Sequence, residues 1–194
     1  MLRWVDPPTT GVQIQRRVGA IFSKDSYEKR YEPVALRRIS KHLPRAVVAA
    51  EDTRFWEHGG IDWQAVEQAV ADRSRGRRRG GSTISQQLAK NLFLTTHSSW
   101  LRKAAEVPLT YLTEWILPKP RILELYVNVV EWGPRGVFGA EAAARHHYGM
   151  SALLLNREQS ARLAACLPAP SRRVPSAMDR YSEVVERRMQ LMGW

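Results

Sequence analysis

The sequence predicts a mainly α-helical domain. Helical periodicity recurs along most of the chain, strand-like alternation is rare, and capping and stop residues flank the periodic segments. Of the 194 residues, 44% are hydrophobic and 25% charged, which is typical of a globular protein with its own core. This length suits one domain better than two.

The first 75 residues are expected to form an arm and two helices. Residues 1–33 carry turn residues and scattered charges, which predict an irregular arm with short helical pieces. The Ala- and Val-rich stretch around Pro44 predicts a short buried helix that breaks at the His-Gly-Gly of residues 58–60. Asp62 is placed to cap the next helix. The apolar face of that helix is expected to contain Val66, Ala69 and Val70.

An exposed loop is predicted from Arg73 to Gly81, because five arginines and three glycines do not pack into a core. Such a run is most often a solvated surface, and its functional alternative is contact with phosphates or lipid headgroups. Further helices are predicted at 84–95, about 99–117 with an interruption at Pro108, 120–131, 138–148, 157–166 and 179–191, with Asn156 and Asp179 as N-caps and Gly133 and Gly149 as stops.

The charge predicts an anionic partner. Lys and Arg number 30 against 19 Asp and Glu, a formal charge of +11, which fits nucleic acid, an anionic membrane or a phosphorylated substrate. The single cysteine, Cys166, excludes an internal disulfide and is expected to be a small buried hydrophobe rather than a nucleophile. No apolar run reaches the roughly 20 residues that span a bilayer.

The stretch GGSTISQQLAKN, at residues 80–91, opens a helix with uncharged polar residues. Thr83 and Gln86 fit a capping box. A helical wheel places a strip of donors with one cation opposite an apolar arc, and such a strip suits sugar hydroxyls and phosphate oxygens about as well as it suits an ordinary surface. The strip contains Gln86, Gln87, Lys90 and Asn91; the arc contains Ile84, Leu88, Ala89, Leu92 and Phe93.

A second cluster begins with Glu51 and Asp52, which follow an apolar run. Burial there would raise a carboxyl pKa toward that of a general base at neutral pH. Phe55 and His58 would share this face if the helix continued. The plain alternative is an acidic pair beside a core histidine, and His58 lacks the second ligand at suitable spacing that a metal site would need.

In a third cluster, Glu106 stands one helical turn from both Arg102 and Lys103. A surface ion-pair ladder is the usual explanation of this spacing. A site for a diphosphate leaving group would need the same cations.

In their order along the chain, these clusters resemble the motifs of the peptidoglycan glycosyltransferase family, lysozyme-like enzymes that polymerise lipid II. The matches are Glu51, Asp52, Phe55, His58 and Gly60; residues 80–91 in full; Arg102, Lys103 and Glu106; Lys119, Ile122, Leu123, Glu124, Tyr126 and Asn128; and, in part, residues 133–149. The segment LPAPSRRVP at residues 167–175 is also similar. The resemblance covers roughly residues 12–190 and is greatest to the monofunctional biosynthetic form.

This resemblance implies a two-lobed lysozyme-like fold with a cleft between the lobes. The implied reaction is inverting transfer of the growing undecaprenyl-diphosphate-linked chain to the GlcNAc 4-hydroxyl of lipid II. Glu51 is the implied base, and Glu106 orients cations or the diphosphate, directly or through Mg²⁺ or Mn²⁺, although no cofactor is required. The implied substrate-binding residues are Asp52, Phe55, His58, Ser82, Thr83, Gln86, Gln87, Lys90, Asn91, Arg102, Lys103 and Glu124, of which Asp52 and Glu124 are ranked as structural or positioning residues.

The resemblance also implies a cellular setting. The monofunctional form has one N-terminal transmembrane helix, so we expect residues 1–33 to be the arm after an anchor missing here, and residues 34–194 to be one catalytic domain. That domain would lie on the periplasmic side of the bacterial inner membrane, with a smaller lobe against the lipid. The expected partners are lipid II, the growing glycan, the anionic membrane surface and proteins of cell division or wall synthesis, but not nucleic acid.

Three positions depart from the family pattern. Ser98 and Gln68 stand where the family commonly has cations, a departure that concerns donor binding more than the chemistry. The last motif ends in His147-Tyr148-Gly149 instead of the usual Tyr-Phe-Gly.

Two other functions stay open. A hydrolytic or lytic lysozyme-like enzyme would need an acid to protonate the glycosidic oxygen but no cation cluster, so Lys90, Arg102 and Lys103 disfavour it. A basic nucleic-acid-binding module would explain the charge, but it would call for aromatic residues among the basic ones or a reading helix.

Overall fold

The structure, a computed structural model, describes residues 1–23, 26–76, 80–97 and 99–194, and in these ranges the mainly α-helical class is confirmed. The α-helices there are α1 (Gly11–Ser23), α2 (His42–Glu51), α3 (Trp63–Ser74), α4 (Ile84–Phe93), α5 (Trp100–Ile116), α6 (Lys119–Val129), α7 (Ala140–Tyr148), α8 (Arg157–Cys166) and α9 (Asp179–Leu191). Short 3-10 helices lie at Leu36–Arg38, Ala152–Leu154 and Pro175–Ala177.

A small sheet accompanies the helices, and the sequence did not reveal it. Its strands are β1 (Arg30–Tyr31), β2 (Glu131–Gly133) and β3 (Val137–Phe138), in the order β1-β3-β2. β3 runs parallel to β1 and antiparallel to β2. Strands of two or three residues are too short to show alternation. The expectation that Gly133 stops a helix is wrong. α6 has already ended at Val129, and Gly133 lies in β2.

The turn between β2 and β3 requires a glycine at position 136. Gly136 has a φ of +99°, and a Cβ there would lie 2.5 Å from the carbonyl oxygen of Glu28. The same closeness lets the backbone NH of Glu28 bond to Arg135, which docks the chain before β1 onto the hairpin.

The core joins two packing groups. α2 packs on α8 and α9, whereas α4 packs on α5 and α6. The largest fully buried side chains include Trp132, Tyr126, Phe55 and Phe138. α2 also contacts α6, so its C-terminal residue, Glu51, lies near the junction of the two groups. A pocket between elements is therefore expected at Glu51.

Several local predictions are confirmed. Thr83 and Gln86 form the predicted capping box, and Asp62 and Asn156 cap α3 and α8 as predicted, Asn156 in a further capping box with Gln159. Gly149 ends α7 with a φ of +67°. Cys166 is fully buried, and burial raises the pKa of its thiol to about 11, as suits a packing residue.

Other local predictions are wrong. α1 is one helix of 13 residues, not short pieces, and Arg73 belongs to α3, not to a loop. α2 ends at Glu51 rather than continuing to residues 58–60, and α5 runs unbroken through an exposed Pro108. Asp179 is the first helical residue instead of the cap. Arg77–Arg79 of the predicted loop lie outside the described residues.

Two helices keep large apolar side chains in solvent. Of the predicted apolar face of α3, Val66 and Ala69 are half-buried and Val70 is 66% exposed. α5 exposes Trp100 at 78% and Trp115 at 84%, on the face opposite the one that packs on α4. Among the residues that the structure describes, no helix is both long and apolar enough to span a bilayer.

Candidate active site

A cleft of about 610 Å³ opens at the C-terminal end of α2. One wall comes from the end of α2 and the turn after it, the second from the segment that leads into α4, and the third from α9 and the chain before it. The polar side chains that line it include Glu51, Asp52, Asp62, Ser82, Thr83, Gln87, Arg173, Tyr181 and Arg188.

Glu51 is the one of these carboxylates whose environment suits a base. It is the last residue of α2 and largely buried, and Gln87 Nε2 donates to its Oε2 over 2.7 Å. Burial raises the pKa of Glu51, while the Gln87 bond and the charges of Lys90 and Arg173 act in the opposite direction. A carboxylate with a raised pKa that is still ionised near neutral pH is a competent proton acceptor.

The side chain of Gln87 is itself oriented by Tyr126. The Tyr126 hydroxyl donates to Gln87 Oε1 over 2.9 Å, which leaves the amide NH₂ facing Glu51. Tyr126 is fully buried, and this burial raises its pKa well above 10, so the hydroxyl stays protonated and donates. Tyr126, Gln87 and Glu51 thus form a chain of two hydrogen bonds across α6, α4 and α2, which we call the Tyr126 relay.

Asp52 lines the cleft, and its carboxylate is bonded to the start of α4 and to His58. Asp52 Oδ2 accepts from the backbone NH of Ile84 over 2.9 Å, and His58 Nε2 lies 3.1 Å from both Asp52 oxygens. His58 Nδ1 accepts from the NH of Gly60, so Nε2 carries the proton that goes to Asp52. Asp52 therefore ties the end of α2 to the start of α4.

We expect Asp52→Ala to lower the free energy of unfolding by about 2–3 kcal/mol, because the buried NH of Ile84 and the His58 ring lose a charged acceptor. Urea titration followed by circular dichroism measures this. Glu183→Ala, an exposed acidic residue on α9, is the matched control and should change it by less than about 0.5 kcal/mol. Equal stability of the two variants would contradict the role given to Asp52.

The predicted cation cluster is assembled around Glu106. Glu106 is 2% exposed, Arg102 bonds to its Oε1, and Lys103 Nζ lies 2.8 Å from its Oε2. Lys103 Nζ also donates to Ser82 Oγ over 3.1 Å, which connects the cluster to the cleft wall. One carboxylate therefore sits between two cations, as the spacing predicted.

Lys90 extends the positive charge toward Glu51. Burial lowers the pKa of Lys90, Arg102 lowers it further, and Glu51 raises it. The pKa of Lys103 is also lowered, by burial and then by Arg102 and Lys90. These cations repel one another, and such a cluster is relieved by an anion of high charge density.

The donor strip of α4 is narrower than the sequence predicted. Gln86 is buried because its side chain caps the Thr83 NH over 3.0 Å, and Asn91 is buried with its amide on the Gln87 carbonyl. Only Gln87 and Lys90 of the strip remain partly exposed. A helical wheel shows on which face a side chain lies. It does not show whether the polar atoms of that side chain already form other hydrogen bonds.

Two other predicted substrate contacts are structural. The Phe55 ring is fully buried, with Lys119 Nζ 4.5 Å from its centre. Glu124 accepts from the NH of Leu36 over 2.6 Å and pairs with Arg121. Phe55 therefore packs behind the cleft, and Glu124 fixes the chain before α2.

The wall from α9 was missed by the sequence analysis. Arg188 Nη1 donates to the carbonyls of Ala49 and Ala50 over 3.1 and 3.4 Å, at the end of the helix that carries Glu51. Arg173 lies on the cleft beside Tyr181. The signal for Arg173 was the family-like segment at residues 167–175, and no signal in the sequence indicated Arg188.

The three departures from the family pattern fall in different places. Ser98 lies outside the described residues. Gln68 is exposed on α3, and His147 is half-buried with its Nε2 2.9 Å from the carbonyl oxygen of Trp132. His147 thus stabilises the junction of α7 and β2. In the described ranges, no group of three or more His, Cys, Asp or Glu side chains is placed to hold a metal ion.

The helical fold, together with a cleft that sets one buried carboxylate beside a cluster of cations, defines the protein as a glycosyltransferase with the lysozyme-like fold. Residues 16–193 match the profile of the family described as Transglycosylase, and the chain belongs to this family.

Curated relatives agree with the family match. The chain is 47% identical over 181 residues to the biosynthetic peptidoglycan transglycosylase of Ectopseudomonas mendocina, across 93% of this chain and 74% of the relative. It is 50% identical over 171 residues to the protein of the same name from Bordetella pertussis, across 85% and 70%. With the Pseudomonas aeruginosa protein the identity is 47% over 171 residues, across 88% and 73%.

Proposed function

We propose that this protein polymerises lipid II into the glycan strands of peptidoglycan. The observation that carries the proposal is the position of Glu51, held by Gln87 on one cleft wall, next to Lys90 and the cluster of Arg102 and Lys103. A polymerase that uses a sugar diphosphate needs a base for the acceptor and cations for the leaving group. Glu51 lines the cleft, and Lys103 of the cation cluster is bonded to Ser82 in the cleft wall.

In the proposed step, Glu51 takes the proton of the GlcNAc 4-hydroxyl of lipid II as that oxygen bonds to C1 of MurNAc in the growing chain. The C1–oxygen bond to undecaprenyl diphosphate breaks, and the diphosphate leaves with the electron pair. One displacement inverts C1 and gives a β-1,4 linkage. No protein acid is needed, because Lys90, Arg102 and Lys103 neutralise the charge that develops on the leaving group.

Glu106 has the role of orienting these cations, because each of its oxygens accepts from one of them. The same carboxylate is an oxygen ligand of the kind that Mg²⁺ and Mn²⁺ prefer. Assays with EDTA separate the two roles. Activity that persists in EDTA assigns Glu106 to the cations, and activity that is lost and restored by Mg²⁺ assigns it to a bound ion.

Incubation with fluorescent lipid II, followed by gel electrophoresis of the products, tests the function. We expect a ladder of glycan strands that muramidase digests. Finished glycan strands offered without lipid II should stay intact. Shortening of those strands, without polymer formation from lipid II, would favour the hydrolytic alternative.

We further propose that α3 and α5 face the bacterial inner membrane from its periplasmic side. Trp100, Leu101, Leu112 and Trp115 of α5 form one exposed apolar face, and Trp63 of α3 adds to it. The formal charge of +11 would attract anionic headgroups and hold the cleft near lipid-linked substrates.

Trp100→Glu combined with Trp115→Glu should weaken binding to phosphatidylglycerol vesicles by at least about tenfold, because two large side chains no longer enter the lipid. Flotation or co-sedimentation measures this. Val184→Glu combined with Leu191→Glu makes the same charge change at exposed positions on α9 and should weaken binding much less. Equal losses in the two variants would show attraction by net charge without a preferred face.

Tyr126→Phe should shift the rising limb of the pH–rate profile upward and lower activity near neutral pH several-fold. Without the hydroxyl, the Gln87 amide is free to turn, and Glu51 loses a bond that lowers its pKa. The profile of kcat/KM measures the shift. A Tyr126→Phe variant with the wild-type profile would contradict the relay, and a variant with uniformly lower activity at every pH would indicate a packing role only.

A further inference from the structure

A second cavity, of about 870 Å³, lies along the N-terminal half of α2 and is separate from the cleft at Glu51. Its floor is apolar and includes two indole rings. The floor residues are Ile39, Val48, Trp56, Leu123, Leu153 and Trp194. We call this cavity the α2 groove. Trp56 is 48% exposed and Leu153 54%, so both present apolar surface to a ligand.

The rim of the α2 groove is cationic. Arg37, Lys41 and Arg45 line it, and no Asp or Glu does. Among the described residues, Arg37, Lys41 and Arg45 have no ion-pair partner, and the guanidinium carbon of Arg45 lies 5.9 Å from the centre of the Trp194 ring. These charges therefore remain available to a ligand.

The start of α2 adds one unpartnered polar atom to the same place. The backbone NH of Leu43 is already bonded to the Ser40 carbonyl and Pro44 has no NH, so the free atom belongs to a side chain. His42 Nδ1 is shielded from solvent without a hydrogen-bond partner in the described residues. The positive end of the helix dipole and the three cations favour an anion at this rim.

The apolar floor and the cationic rim together limit the classes of ligand that fit the α2 groove. Inorganic phosphate would use the rim but not the indoles, and a flat membrane surface fits protruding side chains such as those of α5 better than a concave groove. A narrow chain with carboxylates beside aromatic or branched side chains complements both features.

We propose that the α2 groove docks an acidic peptide segment of a partner protein. Carboxylates of the segment pair with Arg37, Lys41 and Arg45, while its apolar side chains pack on Trp56 and Trp194. The segment would lie on the helix that ends at Glu51, but outside the substrate cleft. This docking does not rest on the proposed reaction, because binding can be measured without lipid II.

The test begins with a phage-displayed library of random 12-residue peptides, selected on the whole protein. We expect the enriched peptides to combine two or more carboxylates with aromatic or branched residues. A fluorescein-labelled synthetic copy is then titrated by fluorescence anisotropy. Arg37→Glu with Lys41→Glu should weaken its binding at least about tenfold, because two attractive contacts become repulsive.

Arg180→Glu with Arg187→Glu, at exposed positions on α9, is the matched control with the same change in net charge and should change the affinity less than about twofold. Thermal melting checks that each variant is folded. Absence of enriched peptides, or equal weakening in both double variants, would overturn the proposal. A third outcome would assign the groove to lipid instead. Phosphatidylglycerol vesicles would then displace the peptide from the wild type, and the Arg37 and Lys41 changes would weaken binding to those vesicles.

Discussion

Glu51→Gln is expected to lower the rate of lipid II polymerisation by about 10²–10⁴-fold, because the variant keeps the shape of the side chain but not the proton acceptor. The substitution leaves the Gln87 amide an oxygen to donate to, so the Tyr126 relay is preserved. Initial rates with fluorescent lipid II at saturating concentration measure the loss.

The stability of the same variant separates chemistry from folding. Because burial raises the pKa of Glu51 above its unfolded value, the folded state holds a proton that the unfolded state has released between these two values. The contribution of Glu51 to the free energy of unfolding therefore falls as the pH rises through that interval. At neutral pH the buried, ionised side chain destabilises the folded state. Glu51→Gln should melt at no lower temperature than the wild type at pH 7. A Glu51→Gln variant that is stable and fully active would remove Glu51 from the mechanism.

Lys90→Met is expected to lower kcat by about 10²–10³-fold, the usual effect of removing one group that stabilises developing negative charge. KM should change less, because the charge on the leaving oxygen grows mainly in the transition state. Steady-state kinetics with lipid II measure kcat and KM separately. Lys90→Arg should recover part of kcat because it restores the cation.

Lys29→Met is the matched control for Lys90. It removes an exposed lysine whose contacts are the Pro8 carbonyl and the Tyr31 ring, away from the residues that line the cleft. Its kcat should match that of the wild type. A Lys90→Met variant with an unchanged kcat and a raised KM would show that Lys90 binds the ground state only.

The helices and the cation cluster around Glu106 were largely predictable from sequence because their signals are local. Caps such as Thr83 and Asn156 act within one turn, and Arg102, Lys103 and Glu106 meet on one turn of α5. The pattern of residues was sufficient to predict both, and the structure agrees at these positions.

What the sequence missed depends on contacts between distant segments. The Tyr126 relay joins three helices, and Arg188 reaches the end of α2 from α9. Gln86 is different, because its capping bond to Thr83 is local and was predicted, yet the same side chain was also assigned to the substrate. Strand β3 has only two residues, which is too short to show the alternation of apolar and polar residues that predicts a strand.

The lowered pKa of Lys90 and the raised pKa of Glu51 have one consequence for activity. The base works only when deprotonated, and the cations work only when protonated, so both shifts narrow the pH range of activity from opposite sides. The activity should therefore follow a bell-shaped curve, with the rising limb from Glu51 and the falling limb from Lys90 and Lys103.

The pH dependence of kcat/KM for wild type and Glu51→Gln tests the central claim most directly, because it observes the ionisation of the proposed base in the free enzyme. The wild type should show a rising limb above the ordinary range of a carboxyl group, and the residual activity of Glu51→Gln should lack that limb. The same rising limb in both proteins would contradict the assignment of Glu51 as the base.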